Sequence, residues 1–312
     1  MNSVLRAGLT AALALPLAAP AAASTLVALP PGTHSLQAPF GSHQTSPKSM
    51  LNDLLRHRSK KVAHFALPYG VAVDGAGNLY VTNAAVNSVS IVSADYKFSP
   101  TTITQGVSVP IGVAADTNGN VYVANATGGV NKFNSSFAPV QTFTANASAP
   151  VGIAVDQAQD LWIVTDTGEL AVDDAYGNSI WSAIFGGSPL LESVAIGAPN
   201  VYAFYDGAAA FGNISVGLRQ NSLQYIDGPL SSAEPYGAAC AQTQSLCWTT
   251  DALNDTLSVA TLPGSGFSTS LGYEPIGVAV DTLRNRVYVA DPLNNAVHVY
   301  NASTLAFEKT LT

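Results

Sequence analysis

The segment PIGVAADTNGNVYVAN at residues 110–125 decides the fold, because variants of it recur along the chain. Each variant begins at or near a proline, and successive prolines are 42, 40, 39, 46 and 40 residues apart. The six variants occupy residues 68–83, 110–125, 150–165, 189–205, 235–251 and 275–291. A period of about 40 residues with short strands is typical of a β-propeller, in which each repeat forms one blade.

The recurring residues of the repeat each have a physical role. The leading proline has no N–H and therefore suits the start of a strand. A glycine two residues later suits inner strands that crowd around a central channel; these glycines are Gly70, Gly112, Gly152, Gly237 and Gly277. An Asp then opens a turn, at Asp74, Asp116, Asp156 and Asp281. We expect the large aromatic of the second strand to pack between blades; these are Tyr80, Tyr122, Trp162, Tyr202, Trp248 and Tyr288.

A third and a fourth strand are predicted in every repeat. The fourth-strand candidates are residues 101–104, 140–144, 179–185, 222–226, 267–271 and 306–311. The sequence therefore predicts an all-β, six-bladed β-propeller of four-stranded blades over residues 62–312, in one domain. The pattern resembles the NHL-repeat family of propellers, whose members share a fold but not a function. Residues 62–67 look like one further outer strand, which we expect to join the last blade beside 306–311.

The N-terminus resembles a secretory signal peptide. Arg6 precedes an apolar stretch over residues 7–19, and Ala21-Ala22-Ala23 provides small residues for cleavage, so residues 1–23 are predicted to be removed. Residues 24–61 are predicted to be a linker with a short amphipathic helix over 49–58, lying on the propeller or contacting a membrane or polyanion. No later segment looks transmembrane. We expect a secreted protein, periplasmic or extracellular.

The charge distribution restricts the class of partner. The formal net charge is −8, and residues 62–312 contain 19 acids against 6 bases, whereas residues 48–61 carry five bases and Asp53 alone. An acidic body disfavours nucleic acid, whose phosphates require clustered Lys and Arg. We expect a monomer that offers an acidic face to a protein, a glycan or a small ligand.

The two cysteines, Cys240 and Cys247, flank the turn between the first two strands of the fifth repeat. A hairpin brings such residues together, so an exported protein is expected to join them in a disulfide. The spacing is not that of a CxxC redox or metal motif. A structural cross-link is therefore predicted.

Polar residues end the second strands and are expected to emerge on one face of the propeller. They are Asn83, Asn125, Thr165, Tyr205, Asp251 and Asp291. Glu234 and Glu274 each precede a proline that leads into an inner strand, and so should reach the same face. These oxygens could bind Ca²⁺, with Glu234, Glu274, Asp251, Asp291, Asn83 and Asn125 as candidate ligands. The alternative is that Asp and Asn cap the turns that follow them.

Two propeller families sharpen the functional alternatives. Gluconolactonase-type propellers are similar in blade architecture and hold a divalent cation, which implies that Glu234 or Glu274 with Asn83, Asn125 and Asp251 could do so here. Antibiotic-lyase propellers, also similar in fold, need a His and Glu cluster, and His298 has no evident partner. The sequence favours a binding or scaffold module over an enzyme. A metal-dependent lactonase or esterase using rim carboxylates is the alternative.

Overall fold

The computed structural model describes residues 64–144, 149–184, 191–197, 200–205, 210–215, 223–227, 235–241, 246–261 and 266–312. The predicted signal peptide, linker and 49–58 helix, together with Glu234, lie outside the described residues. None of the described residues forms a helix long and apolar enough to cross a membrane.

The described residues form 23 strands in six antiparallel sheets, numbered here in the order of the repeats. Sheet 1 contains β1 (Pro68–Val73), β2 (Leu79–Asn83) and β3 (Ser88–Val92). Sheet 2 contains β4 (Pro110–Ala115), β5 (Val121–Asn125), β6 (Val130–Phe133) and β7 (Pro139–Phe143). Sheet 3 contains β8 (Pro150–Val155), β9 (Leu161–Thr165), β10 (Glu169–Asp173) and β11 (Ser179–Ile184).

The other three sheets have four strands each. Sheet 4 contains β12 (Leu191–Gly197), β13 (Asn200–Tyr205), β14 (Ala210–Ser215) and β15 (Leu223–Asp227). Sheet 5 contains β16 (Pro235–Cys240), β17 (Leu246–Asp251), β18 (Thr256–Thr261) and β19 (Gly266–Ser270). Sheet 6 contains β20 (Val278–Asp281), β21 (Arg286–Asp291), β22 (Ala296–Asn301) and β23 (Phe307–Leu311).

The predicted count of six four-stranded blades is wrong. Among the described residues five sheets are four-stranded, and sheet 1 has three strands. Its predicted fourth strand, 101–104, is reduced to single bridges that pair Val89 with Ile103 and Val92 with Phe98. Pro100 lies between the two bridges, where its missing N–H removes one possible ladder hydrogen bond.

The inner strands form a ring. β1, β4, β8, β12, β16 and β20 each contact the next, and β20 contacts β1. Five of the six predicted aromatics lie in seams between sheets, and the side chain of Tyr202 lies outside the described residues. Tyr80 packs with Val113 of sheet 2, and Tyr122 packs with Ile153 of sheet 3. Trp248 packs against sheet 6 and donates its Nε1–H to the carbonyl of Ala302 at 3.0 Å. The all-β propeller fold is thereby established.

The ring closes without the strand exchange that the sequence predicted. Every four-stranded sheet is built from consecutive strands, and His64–Leu67, the described part of 62–67, forms no strand. Instead Phe65 is buried in the seam between sheets 6 and 1 with Tyr288 and Leu311. The N–H of Leu67 donates to Oδ1 of Asn295 at 2.8 Å. The buried Phe65 side chain and the Leu67–Asn295 hydrogen bond therefore join sheets 6 and 1, where the sequence predicted a shared strand.

Two arginines of sheet 6 complete this closure by reaching across to sheet 1. Arg284 donates from Nη2 to the carbonyl of Ala76 at 2.8 Å, and Arg286 donates from Nη1 to the carbonyl of Ala94 at 3.0 Å. The Arg286 guanidinium also lies 4.6 Å from the centre of the Tyr96 ring, which Lys309 approaches to 4.4 Å. Charge-assisted and cation–π contacts hold the last sheet to the first.

The turn aspartates shape the hairpins between the first two strands. Oδ1 of Asp116 accepts the N–H groups of Asn118 and Asn120, each at 2.9 Å. Oδ2 accepts Nδ2–H of Asn120 at 2.6 Å and the hydroxyl of Tyr122 at 3.3 Å. Asp74 makes the same set of bonds in sheet 1. Burial, reinforced by the Asp116 carboxylate, raises the pKa of Tyr122 above its ordinary value.

Replacing the turn aspartate should destabilise the propeller. Asp116→Ala leaves two backbone N–H groups and the buried Tyr122 hydroxyl without an acceptor, so we expect a loss of about 1–3 kcal/mol in the free energy of unfolding. Denaturant titration measures it. Asp95→Ala, which changes an exposed aspartate, is the matched control and should change stability little. Equal losses in the two variants would contradict the turn-capping role of Asp116.

The inner-strand glycines should differ in their tolerance of a methyl group. A Cβ on Gly277 would overlap the backbone oxygen of Tyr69, whereas a Cβ on Gly112 would first meet the Ala124 side chain at 3.1 Å. Backbone cannot yield as a side chain can, so we expect Gly277→Ala to cost about 1–3 kcal/mol and Gly112→Ala clearly less. Denaturation midpoints of the two variants test this, and the reverse order would overturn it.

Candidate functional site

The turns after second strands and the loops before first strands emerge on one face, because strand direction alternates within each sheet. We call this the entrance face. Its described segments are residues 64–67, 84–87, 105–109, 126–129, 166–168, 252–255, 271–274 and 292–295. The candidate metal ligands predicted from the sequence belong to these segments or to the strand ends beside them, except Glu234, which lies outside the described residues.

The two strand-end asparagines hold the loops that lead into their own sheets. Asn83 accepts the N–H of Ala66 at Oδ1 (3.0 Å) and donates from Nδ2 to Oγ of Ser90 at 2.8 Å. Asn125 accepts the N–H of Ser108 at 2.9 Å. Both side chains are buried. Their amides are therefore engaged in the backbone architecture of sheets 1 and 2.

The two strand-end aspartates cap the turns that follow them. Asp251 accepts the N–H groups of Leu253 and Asn254 at Oδ1, each at 3.0 Å, and Nδ2–H of Asn254 at Oδ2 (2.8 Å). Asp291 accepts the N–H of Asn294 at 3.1 Å and its Nδ2–H at 2.8 Å. Both carboxylates are buried. Turn capping, the alternative set against metal ligation, is present at both positions.

Glu274 is the predicted ligand that the fold places beside other carboxylates. It is half-buried in the loop before β20, and burial together with the charges of Asp255 and Asp291 raises its pKa. Within the described residues, no three His, Cys, Asp or Glu side chains are arranged to hold a metal ion. A metal site that includes Glu234 stays a prediction.

His298 has partners that sequence reasoning missed. Its Nε2 lies 3.0 Å from Oδ2 of Asp291, and its Nδ1 lies 2.9 Å from Oγ1 of Thr310. The ring of Tyr273 lies against the imidazole, tilted by 31° with 4.3 Å between the centroids, and the Tyr273 hydroxyl is 2.9 Å from that of Tyr300. The sequence signal was the strand register, because His298 and Thr310 are directly paired across β22 and β23.

This polar cluster uses both nitrogens of the imidazole. His298 bridges a buried carboxylate and an exposed hydroxyl, and Tyr273 covers its ring. Protonation would turn the contact with Asp291 into an ion pair. The cluster therefore fixes the outer part of the entrance face above sheet 6, where Glu274 also lies.

The channel is narrow. The cavity between the inner strands has a volume of about 60 Å³ and is lined chiefly by aliphatic side chains and glycines. Ser193 lines it in sheet 4, and its buried Oγ has no hydrogen-bond partner among the described residues. Ser193 pairs with Phe204 at the point of the register where Gly112 pairs with Ala124 in sheet 2. Ser193 therefore occupies, in sheet 4, the position that the repeat glycine occupies in sheet 2. The repeat therefore starts two residues later in sheet 4 than Pro189 suggested.

The predicted disulfide is confirmed. Cys240 and Cys247 are joined by an S–S bond of 2.02 Å and pair directly across the β16–β17 hairpin. Both are buried against Ala195 of sheet 4 and Ala260 of sheet 5. The bond therefore fastens the hairpin at the inner part of the ring, on the side away from the entrance face.

The raised pKa of Glu274 predicts a pH-dependent stability. An acid whose pKa rises on folding destabilises the folded protein above that pKa, and the effect disappears once it is protonated. We therefore expect Glu274→Gln to raise the melting temperature near pH 7, and the gain to vanish as the pH falls through the raised pKa. The exposed Glu308→Gln is the control. A gain that persists in acid would contradict this origin.

The fold is similar to that of solved propellers, whereas no known protein family and no curated protein matches the sequence. A streptogramin B lyase structure superposes with a TM-score of 0.59 at 12% identity, covering 82% of this chain and 86% of the other. Virginiamycin B lyase from Staphylococcus aureus gives 0.57 at 15%, covering 78% and 84%. Kuenenia stuttgartiensis hydrazine synthase gives 0.59 at 13%, covering 78% and 98%. At these identities the likeness establishes the β-propeller fold alone.

Proposed function

We propose that the protein is a secreted propeller that binds a basic protein partner on its entrance face. In this proposal the three-stranded sheet 1 serves as the sixth blade of an NHL-type ring. One observation carries the proposal. Exposed apolar side chains of sheets 5, 6 and 1 lie on a face whose described segments contain carboxylates and no Lys or Arg.

The charges of the two faces differ. The described entrance-face segments contain Asp166, Asp255 and Glu274 and have neither Lys nor Arg. The opposite turns contain Lys97 and Arg284 and more acids than the entrance face. Four of those acids cap their own turns, namely Asp74, Asp116, Asp156 and Asp174, and Asp281 pairs with Arg284 at 3.0 Å. A face with carboxylates and without bases attracts a cationic partner and accelerates its association.

Three apolar side chains project from equivalent turns of neighbouring sheets on this face. Leu253 is 61% exposed on sheet 5, Leu293 is 50% exposed on sheet 6, and Val86 is 58% exposed on sheet 1. Sheets 5, 6 and 1 follow one another around the ring. Contiguous exposed apolar patches that are rimmed by polar residues are typical of protein interaction sites, and the proposal takes these three side chains as parts of one such patch.

The size of the channel favours a macromolecule over a small ligand. A drug-sized ligand needs a pocket of roughly 300–1,000 Å³, whereas the channel cavity is about 60 Å³. Recognition on the outer face needs no such pocket.

Peptide binding tests the proposal. The probe is an amphipathic peptide of Leu and Lys, and the matched probe has Glu in place of every Lys. We expect the Lys peptide alone to bind the immobilised mature chain, and added salt to weaken it because salt screens exposed charges. The double variant Asp255→Asn with Glu274→Gln should reduce the affinity at least several-fold.

The control for that variant is Asp95→Asn with Glu308→Gln, which removes the same charge from exposed positions outside the entrance face. Equal binding of the two peptides, or equal loss in the two double variants, would refute an entrance-face site.

The metal-dependent lactonase or esterase remains the alternative prediction, and it needs Glu234 as a ligand, because the described carboxylates Asp255, Glu274 and Asp291 are not arranged to hold a metal ion by themselves. Its test is the melting temperature with added Ca²⁺ and the hydrolysis of a lactone. A Ca²⁺-dependent rise and hydrolysis, both abolished by Glu234→Ala with Glu274→Ala, would favour the enzyme over the binding module.

A further inference from the structure

We infer that residues 48–61, the basic segment that precedes the propeller, dock on the entrance face above sheets 5, 6 and 1. The occupant of the exposed apolar face is thus part of the same chain. This inference concerns an intramolecular contact. It is supported by the place where the chain joins the ring, by the opposite charges of the segment and the entrance face, and by the apolar residues of both.

The chain joins the ring between two of the exposed apolar turns. The carbonyl of Ala66 accepts the N–H of Ala85 at 3.2 Å, and Val86 is the next residue. The N–H of Leu67 donates to Oδ1 of Asn295, two residues after Leu293. Whatever precedes residue 64 therefore begins close to Val86 on one side and to Leu293 on the other.

The connection between the predicted helix and residue 64 is long enough for the helix to reach the neighbouring sheets and short enough to keep it near them. Residues 59–63 can span at most about 17 Å when extended. The predicted helix over 49–58 would be about 15 Å long. A segment of these dimensions can lie across neighbouring sheets without an additional linker.

The segment complements the face in both charge and apolarity. The segment contains five basic residues and a single acid, Asp53; the basic residues are Lys48, Arg56, Arg58, Lys60 and Lys61. The described entrance-face segments contain carboxylates and neither Lys nor Arg. The apolar side of the predicted helix would consist of Met50, Leu51, Leu54 and Leu55. Leu253, Leu293 and Val86 are exposed where that side would lie. A cation beside Glu274 would also relieve the repulsion that it receives from Asp255 and Asp291.

One consequence rests on the proposed function. A docked segment would compete with a basic partner for the same carboxylates and leucines, so the free face would be available only after the segment is displaced. Such an internal competitor lowers the apparent affinity of a partner by the fraction of chains in which the face is covered.

Zero-length carbodiimide cross-linking of the mature chain, residues 24–312, tests the docking directly. The reagent joins amines to carboxylates in contact, and mass spectrometry identifies the joined peptides. We expect Lys60 or Lys61 to be joined to Asp255 or Glu274, and not to Asp95 or Glu308. Mixing isotope-labelled with unlabelled chains should give cross-links within one chain only.

Variants in the full chain supply the matched controls. Arg56→Glu with Arg58→Glu keeps both reactive lysines but reverses the neighbouring charges, and should reduce the cross-link at least several-fold. Adding Asp255→Lys with Glu274→Lys to that variant should restore protection of residues 252–255 and 271–274 from hydrogen exchange. Lys97→Glu, which changes an exposed residue in the opposite turn after β3, should leave the cross-link unchanged.

The outcomes separate this inference from the proposed function. Three outcomes would each overturn the docking. They are cross-links spread evenly over all exposed acids, cross-links between two chains, and binding of the segment to anionic phosphatidylglycerol vesicles in place of the entrance face. Tighter binding of the Lys peptide by Arg56→Glu with Arg58→Glu supports the competition. A specific cross-link without any peptide binding retains the docked segment and refutes the basic-partner proposal.

Discussion

The close approach of backbone to backbone around the channel constrains the rest of the molecule. A Cβ added to Gly70 would overlap the carbonyl oxygen of Ile111 and would lie 3.2 Å from the Cα of Gly112. A Cβ added to Gly277 would meet the backbone of Tyr69 and Gly70 in the same way. Inner strands this close leave a channel of about 60 Å³. A cavity of this size is smaller than the roughly 300–1,000 Å³ of a typical small-molecule pocket, and the proposed function therefore places binding on the outer face.

Most polar groups at the rim are engaged in holding that ring together. Asn83 and Asn125 bind the loops that lead into their own sheets, and Asp251 and Asp291 cap the following turns. A carboxylate that already accepts several N–H groups is a poor candidate for a free metal ligand, because its lone pairs are occupied. The proposed function uses instead side chains that the turns and loops of this face carry outward, such as Leu253, Leu293 and Glu274.

The seam between sheets 6 and 1 links architecture to function. The ring closes there through the buried Phe65, the Arg286–Tyr96 contact and the Leu67–Asn295 hydrogen bond. Among the described residues no strand is shared across this seam. Ala66 and Leu67 contact the turns that carry Val86 and Leu293, and the docking inferred above for residues 48–61 starts from these contacts.

The sequence by itself determined the propeller, the seam aromatics, the cystine and the opposition between an acidic body and a basic leading segment. These follow from local periodicity and composition, which act within single hairpins and single stretches of charge. Only the tertiary structure decided that the outer strand of sheet 1 is reduced to bridges on either side of Pro100, that the ring closes without strand exchange, and that Ser193 takes a glycine position. It also decided that His298 meets Asp291 and Thr310. Those outcomes depend on strand register and on contacts between sheets, which bring together residues that are far apart in the chain.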